Sequence, residues 1–157
     1  WYKNSVFAYP ERYGAPYVGS WTHFTNFGCF HVNDSWHLEV PKAPWERNIE
    51  INNRDSALKS LAELYMRYHL YRLILKKPEM RVVMAKDWKI DAAVLALDRG
   101  CIGMTSSALE SSLLLKQAGI PAITYEVSCA NPIDFQEEAY NGLIDLLVEQ
   151  LNTASSQ

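Results

Sequence analysis

The second half of the sequence predicts an α/β domain, a parallel β-sheet with flanking helices, and the first half predicts an irregular segment rich in aromatic residues. Two short, largely apolar runs, Ile90–Leu97 and Ile120–Glu126, have the length and composition of buried strands. One helical stretch separates the two runs and another follows them. Strands and helices that alternate with short connections form parallel crossovers, so we expect the two runs to pair in one sheet.

Two helices are expected ahead of the first strand. The segment SALKSLAELYMRYHLYRLIL has apolar residues at helical spacing: Leu58, Leu61, Leu64, Tyr65, Tyr68 and Tyr71. Pro78 fits the first turn of the next helix, PEMRVVMAKDWK, because proline is favoured there. The adjacent Val82 and Val83 leave a strand open as an alternative in this segment.

The later helices have clear start and stop signals. Thr105 or Ser106 is expected to cap a helix that runs to Ala118, and Gly119 supplies a left-handed end. Asp134 and Glu137 have the spacing of a capping box, which predicts the start of the last helix.

Residues 1–53 differ in character from the rest of the chain and contain four of the five tryptophans. The run Ala15–Ser20 suits a buried strand, and an aromatic loop or a small hairpin follows, with Asn33-Asp34 as its turn. We therefore expect residues 1–53 to connect a preceding N-terminal domain to a C-terminal α/β domain, residues 54–157. The first residue is Trp1 and not methionine, so the chain is expected to be part of a longer polypeptide.

Composition excludes several classes of function. A net charge of -3 gives no electrostatic footprint for nucleic acid or for an anionic membrane. The apolar runs are much shorter than the about 20 residues that span a bilayer. The three cysteines include no CxxC pair, which argues against a disulfide framework and favours a reducing compartment, so we expect the cytoplasm.

The segment RGCIGMTSS places Cys101 between a strand and a helix, where a thiolate is favoured for metal ligation or nucleophilic attack. Burial as a small apolar residue is the third alternative. A phosphatase loop is excluded because Ser107 stands where its arginine is needed, whereas a phosphocysteine-carrier loop has some likeness. An iron–sulfur ligand would need partners from elsewhere. The neighbours expected to shape such a site are Arg99, Gly100, Gly103, Thr105 and Ser106.

Several motifs together resemble the C-terminal part of subunits of the benzoyl-CoA reductase and 2-hydroxyacyl-CoA dehydratase family. These motifs are DAAVLALDRGCIG, LLLKQAGIPAITYE and DFQEEAYNGLIDLLVEQL, in that order. Upstream, YGAPYVGSWTHFTNFGCF and NRDSALKSLAELYMRYHL resemble the segments that precede this domain. The resemblance covers most of the chain, and an ATP-dependent benzoyl-CoA reductase-like enzyme is the first expectation, with a dehydratase as the second.

The resemblance implies a flavodoxin-like or Rossmann-like domain and a [4Fe–4S] cluster. Of the cysteines, only Cys101 matches a family ligand, and the other ligands are expected outside this segment, so Cys29 and Cys129 are interpreted as structural. A sister subunit and a separate ATP-hydrolysing activator are the implied partners, and an acyl-CoA thioester is the implied substrate. The competing hypothesis is a cluster-free α/β binding or phosphocysteine-carrier module.

The aromatic segment is a candidate wall of the substrate pocket. Trp21, Phe24 and Phe27 would exclude water and hold a flat ring. His23 lies among them and is the candidate proton donor, since electron transfer to a ring is coupled to protonation. A histidine that is simply hydrogen-bonded within an aromatic cluster is the alternative.

Overall fold

The computed structural model describes residues 4–19, 29–32, 35–38, 44–47, 49–67, 77–128 and 131–154. The helices are α1 (Ser5–Glu11), α2 (Arg54–Arg67), α3 (Lys77–Asp87), α4 (Ile102–Thr105), α5 (Ala108–Gln117) and α6 (Glu137–Ala154). The strands are β1 (Cys29–Val32), β2 (Ser35–Leu38), β3 (Ala93–Asp98) and β4 (Ala122–Val127). Short 3₁₀ turns lie at Pro44–Arg47 and Pro132–Asp134.

Strands β3 and β4 pair in parallel, in a register from Ala93 opposite Ala122 to Asp98 opposite Val127. This confirms the predicted pairing of the two apolar runs across helix α5. The parallel sheet has two strands within the described residues, with helices on both faces. The larger flavodoxin-like or Rossmann-like sheet stays a prediction.

Alternation along the strands divides the core into two layers, one on each side of the sheet. Leu95 faces α3 and α5, in a cluster completed by Ala85, Ala108, Leu115, Ile120 and Ala122. Tyr125 faces the opposite side, in a cluster with Val6, Val127, Phe135, Tyr140 and Ile144 from α1, α6 and their neighbours. Side chains that are completely buried, such as Leu115 and Ile144, each contribute about 1.5–3 kcal/mol by leaving water.

Helix α1 docks on α6 through a network of tyrosine hydroxyl groups. The Tyr140 hydroxyl donates to the Val6 carbonyl oxygen (2.9 Å) and lies 2.7 Å from the Tyr17 hydroxyl. The Tyr13 hydroxyl donates to Asp145 at 2.7 Å. Helix α1 was not predicted, because its docking depends on these long-range contacts and not on a local pattern.

The strand predicted at Ala15–Ser20 is wrong for residues 15–19, which have no regular structure, and Ser20 lies outside the described residues. This run contacts α6 through the Tyr17 hydroxyl group, which lies 2.7 Å from the Tyr140 hydroxyl group. Strands β1 and β2 form an antiparallel hairpin, with Val32 opposite Ser35. The predicted turn, Asn33-Asp34, lies outside the described residues.

Several helix ends differ from the sequence prediction. The third predicted helix is interrupted: α4 ends at Thr105 and α5 begins at Ala108, with Ser107 as its N-cap. Neither Thr105 nor Ser106 therefore caps α5. The predicted capping box is also wrong, because α6 begins at Glu137 and Asp134 belongs to the preceding 3₁₀ turn, where its carboxylate pairs with a loop arginine.

The remaining helix signals are confirmed. Pro78 lies in the first turn of α3, and Gly119 follows α5 with φ +81°. Helix α2 forms as predicted, although Leu58 and Leu61 on its apolar face are about half exposed. The part of that segment after Arg67 lies outside the described residues. None of the described helices is long and apolar enough to cross a bilayer.

Candidate functional site

Asp98 organises the loop that carries Cys101, residues 99–107, which we call the Cys101 loop. Asp98 is the buried last residue of β3, and its Oδ1 accepts the Gly100 N–H at 2.8 Å. Its carbonyl oxygen accepts the Thr105 hydroxyl at 2.5 Å and, more weakly, the Cys101 N–H at 3.4 Å. Backbone and side chain of one residue therefore fix both ends of the first turn after the strand.

Cys101 lies at the carboxyl edge of the sheet, directly before α4. Its backbone is extended (φ −133°, ψ 97°), its carbonyl oxygen accepts the Thr105 N–H, and its side chain is a partly exposed free thiol. A Cβ placed on Gly103 would lie 4.0 Å from Cys101 Sγ, and one on Gly100 would lie 3.5 Å from Asp98 Oδ1. Both glycines leave space around the loop, and neither has a positive φ angle.

Two buried cations on α3 lie behind the Cys101 loop. Lys77 and Arg81 are one helical turn apart, and 3% and 6% of their surfaces are exposed. Arg81 Nη1 donates to the Ser107 carbonyl oxygen (3.1 Å) and to Ser111 Oγ (2.6 Å). Since α3 and α5 each precede a strand of the same parallel pair, both helices begin at the carboxyl edge, and Lys77 lies one turn nearer to that edge than Arg81.

The electrostatics of this pair involve Cys101. Burial lowers the pKa of Lys77, the charge of Arg81 lowers it further, and the negative charge of a Cys101 thiolate raises it. Burial also lowers the pKa of Arg81, to about 10, against the opposing charge of Glu110, so its guanidinium group stays protonated at neutral pH. The Lys77 ammonium group is therefore close enough to Cys101 for a charge on the thiol to act on it.

The hydroxyl groups of the loop bind its own backbone. Thr105 donates to Asp98, Ser106 Oγ donates to the Gly103 carbonyl oxygen (3.4 Å), and Ser107 Oγ donates to the Ser106 carbonyl oxygen (2.5 Å). These bonds stabilise the conformation of the loop.

Arg99 joins the two loops at the carboxyl edge. Its backbone N–H donates to the Val127 carbonyl oxygen at 3.0 Å, and its guanidinium group pairs with Asp134 Oδ2 at 3.6 Å. This ion pair links the loop after β3 to the 3₁₀ turn that contains Asp134. Because both side chains are well exposed, such a pair contributes about 0–1 kcal/mol.

A curated relative resembles part of this chain. The lactoyl-CoA dehydratase subunit alpha of Anaerotignum propionicum is 24% identical over 110 residues, which cover 69% of this chain and 26% of the relative. The chain thus spans about a quarter of the length of the curated relative that it matches. No protein-family model matches the chain, and no solved structure matches it.

This similarity supports one branch of the expected family. Lactate is a 2-hydroxy acid, so the relative is by name a subunit of a 2-hydroxyacyl-CoA dehydratase. The branch given as the second expectation is therefore the supported one, and nothing in the match favours benzoyl-CoA as substrate.

The expected pocket residues, and the side chains of two of the cysteines, lie outside what the structure describes. The structure does not describe His23, Trp21, Phe24, Phe27 or Cys129, and it describes only the backbone of Cys29, in β1. Their roles stay predictions. Within the described ranges, no group of three histidine, cysteine, aspartate or glutamate side chains could hold a metal ion.

Sequence reasoning missed the contribution of α3 to the site. Lysine and arginine side chains are usually solvated, whereas Lys77 and Arg81 are both buried. A signal was present, because Met80 and Met84 share the buried face of the same helix and indicate that its polar neighbours are covered too. Ser107 and Ser111, which accept hydrogen bonds from Arg81, both lie in the segment predicted to be helical. Nothing in that segment of the sequence indicates that they contact Arg81.

Proposed function

We propose that this chain is part of a subunit of an enzyme that dehydrates a 2-hydroxyacyl-CoA thioester, and that Cys101 supplies one thiolate ligand to a [4Fe–4S] cluster. The observation that carries the proposal is the position of Cys101. A partly exposed thiol at the carboxyl edge of a parallel sheet, beside two buried cations, occurs in a chain that resembles a dehydratase subunit.

The described residues fit one ligand of such a cluster and not a complete site. Cys101 is the thiol they present, and Gly103 adds no side chain beside its Sγ atom. The positive field of Lys77 and Arg81 suits a cluster, whose thiolate-ligated form carries net negative charge. The remaining ligands are proposed to come from another part of the protein.

The chemistry explains why an electron donor is needed. Dehydration breaks the C2–OH and C3–H bonds and yields an enoyl-CoA and water, with no net oxidation. The thioester carbonyl does not acidify the C3 hydrogen, so a base alone cannot start the elimination. When bound, a [4Fe–4S] cluster would supply a low-potential electron that activates the thioester, and the electron would be returned when the enoyl-CoA forms, since the reaction has no net oxidation.

The residues of this chain have supporting roles in the proposal. Cys101 holds the cluster, Asp98 fixes the turn before it, and Lys77 and Arg81 supply positive charge behind it. Arg99, at the exposed rim, is available to a CoA phosphate at the cost of a weak ion pair. His23 as a proton donor and the aromatic wall (Trp21, Phe24 and Phe27) complete the proposed pocket.

The proposed assembly follows the family resemblance. A sister subunit and an ATP-hydrolysing activator supply the other half of the enzyme and its electrons, and the parallel pair β3–β4 belongs to a larger flavodoxin-like or Rossmann-like sheet. The name of the curated relative, a subunit alpha, is consistent with a multi-subunit enzyme.

The test compares substrates on the full-length protein with its partner and activator, prepared without oxygen and supplied with ATP. Formation of an enoyl-CoA from lactoyl-CoA or a longer 2-hydroxyacyl-CoA, lost in Cys101→Ala, is the expected result. Ring reduction of benzoyl-CoA without dehydration would overturn the dehydratase assignment in favour of the reductase. Absence of iron together with phosphorylation of Cys101 would overturn both in favour of a carrier module.

A further inference from the structure

The Cys101 loop ends in a strained residue. Ser107 has φ 61° and ψ 17°, a left-handed conformation that non-glycine residues rarely adopt, and it separates α4 from α5. Ser106 (φ −57°, ψ 129°) ends α4, and Ser107 then turns the chain into α5. The path from α4 to α5 therefore depends on the conformation of Ser107 as well as that of Ser106. Such a conformation persists only where surrounding contacts hold it.

The contacts that hold Ser107 come from α3 and α5. Its carbonyl oxygen accepts Arg81 Nη1 at 3.1 Å, the Ser111 N–H at 2.9 Å and Ser111 Oγ at 2.5 Å. The same Arg81 nitrogen also donates to Ser111 Oγ at 2.6 Å. All three residues are buried, so these charge-assisted bonds are protected from water.

The Cys101 loop is therefore anchored at both ends. Asp98 holds its first turn from the strand, and Arg81 holds its last residue from a neighbouring helix. Arg81 contacts the loop at Ser107. A change in the position of Cys101 would therefore be transmitted through the backbone between residues 101 and 107, in addition to any effect of the Arg81 charge.

We infer that Arg81 is a positioning residue for Cys101, which keeps Ser107 in its left-handed conformation and so fixes where the thiol stands at the carboxyl edge. The functional meaning of that position rests on the proposed function, whereas the effect of Arg81 on the loop does not. A 1 Å displacement of a reacting or ligating group can lower turnover about 100-fold, so Arg81→Met should strongly impair an enzyme that needs this thiol.

The experiment separates positioning from charge by rescue. In full-length protein freed of iron, with Cys29 and Cys129 replaced by serine, the rate of Cys101 alkylation by iodoacetamide is measured at fixed pH. Arg81→Met removes the donors and keeps much of the volume. Loosening of the loop should raise the rate severalfold, whereas loss of the positive charge alone would lower it, because the thiolate is the reacting form. Adding Ser107→Gly should bring the rate back toward that of the parent, because glycine adopts the left-handed conformation without strain.

Matched variants keep the inference testable if Arg81→Met does not fold. Arg81→Lys retains the charge and one donor nitrogen and should show a smaller change, and Ser111→Ala should move the rate in the same direction as Arg81→Met. An unchanged rate in Arg81→Lys and Ser111→Ala, or a changed rate that Ser107→Gly does not correct, would overturn the inference.

A second readout distinguishes this inference from the proposed function. In iron-loaded protein, the electron paramagnetic resonance spectrum should change shape in Arg81→Met and return with Ser107→Gly, whereas simple loss of stability would lower its intensity only. If the parent binds no iron but the alkylation pattern holds, the proposed function fails and the role of Arg81 stands. If the parent binds a cluster and neither readout responds to the variants, the role of Arg81 fails alone.

Discussion

Replacement of Asp98 by alanine should loosen the Cys101 loop by a predictable amount. The buried carboxylate accepts the Gly100 N–H at 2.8 Å, and a hydrogen bond to a charged group contributes about 1.5–3 kcal/mol. Gly100 is exposed, so water can satisfy its N–H once the carboxylate is gone, and the lower end of that range applies. A loss of about 1.5 kcal/mol corresponds to a roughly tenfold increase in local opening.

Hydrogen–deuterium exchange of the peptide that contains the Cys101 loop measures this opening in the full-length protein. Asp98→Ala should speed exchange in this peptide about tenfold and leave peptides from α6 unchanged. Asp98→Asn keeps an oxygen acceptor for Gly100 and should have a smaller effect. Thr105→Val removes one neutral bond to the Asp98 carbonyl oxygen and should also have a smaller effect than alanine at 98. Equal exchange in Asp98→Ala and the parent would refute the assignment of Asp98 as the organiser of the loop.

Three further predictions concern α1 and the loop rim. Tyr140→Phe removes the donor to the Val6 carbonyl oxygen, which should lower the free energy of undocking α1 by about 1.4 kcal/mol. Protease cleavage within α1 should therefore become about tenfold faster. Unchanged cleavage would contradict the docking contact. The hydrogen bond to Asp145 raises the pKa of Tyr13 from 10.0 to about 12, so this bond stabilises the folded chain fully below pH 10 and is lost as the pH rises through 12. In a titration followed by tyrosinate absorbance, Tyr13→Phe should remove one tyrosine that titrates near pH 12. Removal of a tyrosine that titrates near pH 10 would contradict the prediction. Arg99→Gln should lower the free energy of unfolding by about 0–1 kcal/mol, because both side chains of the ion pair are exposed. A larger loss, measured by calorimetry, would contradict the weak contribution assigned to this pair.

The order of elements in the α/β half follows from local pattern, and so it was predictable. Apolar runs of strand length, the glycine after α5 and the proline in α3 each report their own neighbourhood. The boundaries were less predictable, because Asp98 belongs to β3 although it is charged. Its carboxylate turns back to the loop, a contact that no periodicity reveals.

Helix α1 shows where local reasoning ends. The segment SVFAYPE contains Pro10 and no acidic residue in its first turn, so its helical signal is weak. Its position depends on Val6 in the core and on hydroxyl contacts to α6, more than 120 residues later in the chain. Contacts of such separation are specified by the fold as a whole.

The candidate site was predicted in part for the same reason. Cys101 stands at the carboxyl end of a parallel strand, as the sequence indicated, because strand order alone places it there. The cations behind it were not predicted, since the burial of Lys77 and Arg81 depends on the packing of α3 against α5. The left-handed Ser107 was equally hidden, because serine gives no signal for that conformation.

The most direct test of the account is the iron and acid-labile sulfide content of the full-length protein with its partners, prepared without oxygen. Parent, Cys101→Ala and Cys129→Ala would be compared, the last as a control with a cysteine to which no ligand role is assigned. The account predicts that Cys101→Ala loses about one [4Fe–4S] cluster and that Cys129→Ala keeps it. Unchanged iron in Cys101→Ala would contradict the ligand assignment and leave Cys101 as a packing or nucleophilic residue.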